Sequence, residues 1–276
     1  MEDFKDWIGH SVVRDDIATP RLLGEYRATL APNLFEAGDQ TQCPPGFHWA
    51  LAPAMPGSNE LGPDGSEAKG LFLPPIPLPR RMWAGGSIET LMPISIGAHI
   101  RRTSTIADIK FREGKSGALY VLSVGHDLEA NGVLAVRERQ DLVFRAADST
   151  PGISSRAEAP LDGLRWDVDA TSTLLFRFSA ITFNGHRIHY DAPYAHEEGY
   201  PGLVVHGPMQ AALMFNQLSV LRGSISPRFD YRCVAPLFGG KNFIVSAGWD
   251  NGSAIARITR HDGITTAESR VPAPGT

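Results

Sequence analysis

Hydrophobic positions change spacing several times along the chain, and each change predicts a different element. Between Arg21 and Leu30 the apolar residues Leu22, Leu23, Tyr26 and Leu30 recur at helical spacing. Thr19 precedes them as an N-cap and Pro20 takes the first helical position, so a helix is predicted to Leu30. From about Ala31 to Ala84 Pro and Gly are dense, as in Cys43-Pro-Pro-Gly46 and Leu73-Pro-Pro-Ile-Pro-Leu-Pro79. Such text excludes regular helix and central strand. Its aromatic and apolar residues instead predict an ordered covering loop. The period then drops to two, predicting strands over Ile88–Ile94, Ala98–Phe111, Ala118–Leu128 and Val133–Phe144. Lys115-Ser-Gly117 and Asn131-Gly132 fall where this antiparallel meander needs hairpin turns.

Residues 146–163 are rich in turn formers and predict an interdomain linker. Beyond it, Thr173–Ala180 reads as a strand. A helix is predicted from Pro208 to Arg222, with Gly223 as its stop. Its residues leave almost no polar face, which predicts burial on more than one side. Four further strands are predicted over Phe229–Ala235, Asn242–Gly248, Ser253–Arg260 and Ile264–Val271. Pro93-Ile-Ser-Ile-Gly97 and Pro236-Leu-Phe-Gly-Gly240 echo one another, each joining an early strand to the meander, which points to duplication. The pattern predicts an α+β protein of two domains, 1–150 and 151–276, with antiparallel sheet wrapped around a central helix.

Composition narrows the function classes. At 42% hydrophobic and 20% charged residues, each half can build a core. A net charge of −4 without any basic run gives no nucleic-acid footprint. Arginine outnumbers lysine by 21 to 5, which suits bidentate binding of phosphate or carboxylate and also fits an Ala-, Gly- and Pro-rich composition. Cys43 and Cys233 form neither a disulfide framework nor zinc spacing. Acids near the start stand where a signal peptide would be basic, and no apolar run reaches membrane-spanning length. A cytoplasmic protein without membrane contact is expected.

The chemistry is expected between Phe183 and Gln210. Four of nine histidines fall from His186 to His206, immediately before the buried helix that opens with Gly207-Pro208. Titratable groups at the positive end of a helix suit proton transfer beside a developing oxyanion. His189 is the candidate general base, because imidazole titrates near neutrality. The Gly207 N–H is the candidate carbonyl polariser. Asn184 cannot be a base, but its carboxamide can hold a water or orient His189. His206, Asp191 or His48 can share the proton transfers, and Asp191 reads equally as a turn cap. His186 and His196 read as structural. Residue type alone would allow a metal on His186, His189 and His206, but their spacing argues against zinc.

These residues resemble the MaoC-like hydratases of double-hotdog fold. That group's signature is an Asp followed five residues later by a His, ahead of a His-Gly-Met-like helix start. Here Asn184 and His189 occupy the two places and His206-Gly207-Pro208-Met209 the third. The Asn variant resembles a branch of mesaconyl-CoA (3-methylfumaryl-CoA) and itaconyl-CoA hydratases and related acyl-thioester dehydratases. The likeness extends to Phe4-Lys-Asp-Trp-Ile-Gly9, Phe47-His-Trp49, Glu60-Leu-Gly-Pro-Asp-Gly65 and Leu73–Gly86. It implies two tandem sheets, each wrapped around a helix, with a degenerate first repeat and one active site. It also implies reversible hydration of an enoyl-CoA with no cofactor beyond the CoA of the substrate. Arg80, Arg81 and Arg187 are the candidate cations for CoA phosphates or for an acyl carboxylate. The alternatives are a fatty-acid-type 3-hydroxyacyl-thioester dehydratase, a hotdog thioesterase, and a non-catalytic acyl-CoA binder. By analogy with hotdog sheets that pair at their edges, a homodimer is expected.

Overall fold

The computed structural model describes residues 4–114, 117–146 and 159–272. Strand β1 (Ser11–Ile17) leads into helix α1 (Pro20–Leu30), and after a long loop come β2 (Arg80–Thr90), β3 (His99–Gly114), β4 (Gly117–Ala130) and β5 (Val133–Arg145). The second half begins with β6 (Leu164–Asp169) and α2 (Ser172–Ile181). Short α3 (Ala192–Glu197) and long α4 (Gly207–Arg222) precede β7 (Arg228–Cys233), β8 (Asn242–Asp250), β9 (Ser253–Arg260) and β10 (Thr265–Pro272). The ten strands of the described residues form one antiparallel sheet in the order β1-β3-β4-β5-β2-β7-β10-β9-β8-β6. Read from each edge inward to the β2–β7 seam, both halves have the same connectivity, 1-3-4-5-2 and 6-8-9-10-7. At that seam backbones crowd: a Cβ on Gly85 would lie 2.5 Å from the Tyr231 carbonyl oxygen.

Matching contacts repeat in the two halves. Thr19 caps α1 by accepting from Leu22 N, and Thr171 caps α2 by accepting from Leu174 N. The two Pro-to-Gly segments join β2 to β3 and β7 to β8. Gly97 N donates to Ala18 O and Gly240 N donates to Ala170 O, at 2.8 and 2.7 Å.

The two tandem sheets join edge to edge at β2 and β7 into one continuous sheet. Several other expectations need correction. Thr173–Ala180 is helical: the Thr171 cap and the buried Leu175, Phe178 and Ile181 at helical spacing override the strand-like aromatic content. The strand expected at Ile88–Ile94 runs from Arg80 to Thr90, because the last proline of the run is Pro79 and a bulge between Trp83 and Gly85 admits the glycines. Edge strands β1 and β6 are short and carry charged residues, and neither is among the expected strands, although Leu164, Trp166 and Val168 alternate with Arg165, Asp167 and Asp169 along β6. The domain boundary near 150 and the turn residues Lys115 and Ser116 lie outside the described residues.

The halves differ in what their sheets enclose. Helix α4 is buried from Met209 to Ser219 and packs on β7–β10 and on β2. Two of its polar side chains reach across the interior. Asn216 accepts from Phe35 N and donates to Pro45 O, while Gln217 donates to Val245 O. Between α1 and β2 the first half has only short 3-10 turns at Phe47–Ala50 and Ser58–Glu60 among the described residues, and α1 packs against α2. The volume that α4 fills in one half is therefore partly open in the other.

Candidate active site

A cavity of about 820 Å³ occupies that volume. On one side lie Asn184, His186, His189 and Gly207; on the other lie residues of β2–β5, among them Arg81, Trp83, Arg102 and His126. The histidine loop is held from three directions. Asn184 N donates to Ser179 O at the end of α2, and Val204 N donates to Ile188 O. From the first half, the loop around Asp64 docks on it: Arg187 N donates to Asp64 O at 2.8 Å. Gly65 and Gly185 meet backbone to backbone, where a Cβ on Gly65 would lie 2.3 Å from Gly185 O.

His189 sits in a 3-10 turn, buried, with Nδ1 at 2.7 Å from Val204 O. A carbonyl can only accept, so Nδ1 carries the hydrogen and Nε2 keeps the lone pair. The ring stacks on His206 at 3.6 Å between centroids and 21° between planes, and meets His186 edge-on at 5.5 Å. Burial pushes the His189 pKa down to about 4; the bond to Val204 opposes the shift and the Arg81 charge reinforces it. Burial also holds His186 and His206 well below the ordinary histidine value, with neighbouring charges adding to it. All three rings are neutral at neutral pH. A neutral imidazole with a free Nε2 can take a proton from water. The Gly207 N–H belongs to the first turn of α4, where helix N–H groups lack intrahelical acceptors. Trp83 packs so close that a Cβ on Gly207 would lie 3.0 Å from its side chain.

The other expected site residues divide clearly. Asn184 lines the cavity, but its Oδ1 accepts from His186 N at 3.0 Å, so it shapes the turn and leaves Nδ2 as its donor. His206 is fully buried behind His189, with Nε2 at 2.8 Å from Ser179 Oγ, and does not line the cavity. Asp191 caps α3 through Tyr194 N and pairs with Arg187 at 2.7 Å. Arg187 also stacks on Tyr194, and neither member of the pair lines the cavity. Successive strand residues face opposite sides, so of Arg80 and Arg81 only Arg81 reaches the cavity, 3.5 Å from Asp64. Arg80 extends toward Gly199. His196 bonds within its own helix, to Ala192 O. His186, read as structural, lines the cavity with Nε2 unpartnered and 3.8 Å from Asp64. His48 faces Glu138 at 3.6 Å. Among the described residues no group of three His, Cys, Asp or Glu side chains is placed to hold a metal ion. No described helix is long and apolar enough to cross a membrane.

Sequence reading missed Asp64, Trp83, Ser179 and the polar set Arg102, Ser104, His126, Glu138 and Gln140. A signal existed for the last. These residues alternate with outward ones along β3, β4 and β5, so they share the inner face of the sheet.

Comparison with solved structures shows that this architecture is a double hotdog fold. A MaoC-like dehydratase from Phytophthora capsici superposes with a TM-score of 0.70 at 13% identity, covering 100% of this chain and 99% of that one. A Mycobacterium tuberculosis protein described as having a double hotdog fold gives 0.57 at 11% identity, covering 95% and 94%. The profile of the family Htd2, hydroxyacyl-thioester dehydratase type 2, matches residues 46–239, and the chain belongs to that family. It is 37% identical to the mesaconyl-C(4)-CoA hydratase of Chloroflexus aurantiacus over 99% of each chain. The protein is an enzyme that adds or removes water at an acyl thioester.

Proposed function

We propose that the enzyme hydrates a branched dicarboxylic enoyl-CoA of the mesaconyl-C4-CoA type, reversibly, with His189 as the sole general base and acid. The observation that carries this reading is the pairing of His189 with Gly207 on one cavity. The bond to Val204 fixes the His189 tautomer, and the first N–H of a buried helix stands beside it. Nε2 takes a proton from water as the water oxygen bonds to the β-carbon. The displaced electron pair moves to the thioester oxygen, where the Gly207 N–H and the α4 dipole stabilise the enolate. The imidazolium then returns its proton to the α-carbon, so the net change is one water added. Asp191 is held by its cap and ion pair, and His206 lies behind the ring, which leaves His189 to make both transfers. Asn184 Nδ2 is the donor that positions the water. Arg81 from the cavity lining, with Arg80 and Arg187 flanking the loop, supplies positive charge for the CoA phosphates.

The 37% identity with the Chloroflexus enzyme supports a dicarboxylic acyl group, and itaconyl-CoA is the nearest competing substrate. Within this reading the first half is the acyl-binding domain, the second half carries catalysis, and two copies pair as a homodimer in the cytoplasm. Incubation with mesaconyl-C4-CoA, itaconyl-CoA and crotonyl-CoA, followed by mass, tests it. Gain of one water, fastest on mesaconyl-C4-CoA, is expected. Preferential hydration of crotonyl-CoA would favour a fatty-acid-type dehydratase, and release of free CoA a thioesterase.

A further inference from the structure

The inner face of the first half carries a polar belt where the second half is apolar. In the second half Phe243, Val245, Ala247, Ala254, Ala256 and Ile258 share one core with α4. In the first half Ser104, His126 and Glu138 stand in register across β3, β4 and β5, with Arg102 and Gln140 beside them. All five are buried, and all except Glu138 line the same cavity as His189.

Glu138 is committed to the protein. Its Oε1 accepts from Trp49 Nε1 at 2.7 Å and Gln140 Nε2 at 2.9 Å, and its Oε2 faces His48. Arg102 has only neutral partners: Nε donates to His126 Nδ1 at 3.3 Å and one Nη to Leu51 O at 3.4 Å. No carboxylate of the described residues lies within 4.0 Å of it. The nearby Arg14 pairs with Glu67 at 3.7 Å. Because Arg102 can only donate, His126 Nδ1 is the acceptor nitrogen and Nε2 carries the hydrogen. That Nε2–H is buried on the Gln140 side and makes no well-formed hydrogen bond there. Burial holds the His126 pKa down to about 3, so the ring is neutral, while a guanidinium keeps its charge. The Glu138 charge acts on both groups through space, but neither the buried cation nor the buried N–H donor touches an anion, which is costly unless a ligand completes them.

We propose that Arg102 and His126 form a carboxylate subsite for the acyl group, which selects enoyl thioesters bearing a second carboxylate. The proposal rests on the hydration reading above and deepens it. The carboxylate accepts from the free Nη of Arg102 and from His126 Nε2–H. Ser104, 2.8 Å from His126 Nδ1, helps hold that tautomer. A network that only braces the sheet would affect all substrates alike.

The test compares kcat/KM on mesaconyl-C4-CoA and crotonyl-CoA for wild type, Arg102→Gln, Arg102→Lys and His126→Asn. Calorimetric binding of the saturated pair succinyl-CoA and butyryl-CoA accompanies it. Arg102→Gln is expected to lose about 100-fold on mesaconyl-C4-CoA and less than about threefold on crotonyl-CoA. Arg102→Lys should recover part of the loss, and His126→Asn should cost about tenfold on the dicarboxylic substrate alone. Wild type should prefer succinyl-CoA over butyryl-CoA by about tenfold or more, and Arg102→Gln should erase the preference. Equal losses on both substrates, or an unchanged preference in folded variants, overturn the subsite. Should Arg102→Gln fail to fold, the Lys and Asn variants decide by the same ratios. Arg102-dependent succinyl-CoA binding without hydration of any dicarboxylic thioester would keep the subsite and sink the hydration reading. Mesaconyl-C4-CoA hydration indifferent to Arg102 would do the reverse.

Discussion

Asn184 is where one side chain separates this chain from the commoner Asp-and-His signature. Its Oδ1 already accepts from His186 N, a role that a carboxylate fills equally well, so Asn184→Asp should fold normally. The added charge would lie beside a buried imidazole and near the forming enolate. It should therefore raise the His189 pKa and repel an anionic acyl group. Activity on mesaconyl-C4-CoA should fall, and fall less on uncharged crotonyl-CoA; equal gains on both would remove any charge-related purpose for the Asn. Asn184→Ala should lower kcat by more than it changes KM if Nδ2 holds the attacking water, because that contact strengthens in the transition state. A rise in KM alone would assign the amide to ground-state binding.

At the scale of elements, the two glycines where the Asp64 loop meets the histidine loop set the geometry of the site. A Cβ on Gly185 would lie 2.5 Å from Gly65 O and must push the loops apart. Gly185→Ala should cost about tenfold or more in kcat/KM while the melting temperature drops only a few degrees. Wild-type kinetics would show that the docking is incidental. Legibility in the sequence followed the same elements. Helix α4 could be read because Pro208 and Gly223 punctuate a run with no polar face. Helix α2 was misread because Leu-Leu-Phe-Arg-Phe suits a strand locally, and only the Thr171 cap and packing on α1 decide otherwise. His189 and Gly207 were legible as candidates because the histidine cluster runs into the start of the buried helix and matches the family's motif. The Arg102 and His126 pair was not, because β3 bears polar residues on both faces, Arg101 and Thr103 outward against Arg102 and Ser104 inward. Only the register across three strands shows which face is enclosed.

The whole molecule encloses several histidines in their neutral form, and its stability should record them. The folded pKa of His189 lies near 4 against 6.5 unfolded, so the unfolded chain binds more protons between those values. Stability attributable to this ring is complete above pH 6.5 and is lost as pH falls toward 4, by about 3 kcal/mol. His186 and His206, shifted in the same direction, add to the loss. Melting temperature should decline steeply from pH 6.5 to 4, and a flat profile there would mean that the rings are charged or exposed in the folded protein. On the proposed mechanism activity depends on the same neutral ring. The most direct test is hydration of mesaconyl-C4-CoA by wild type and His189→Ala in one mass-resolved assay at pH 7. Wild type should yield the thioester plus one water, and the folded variant should be slower by at least about two orders of magnitude. A variant within tenfold of wild type, or free CoA as the wild-type product, would contradict the account.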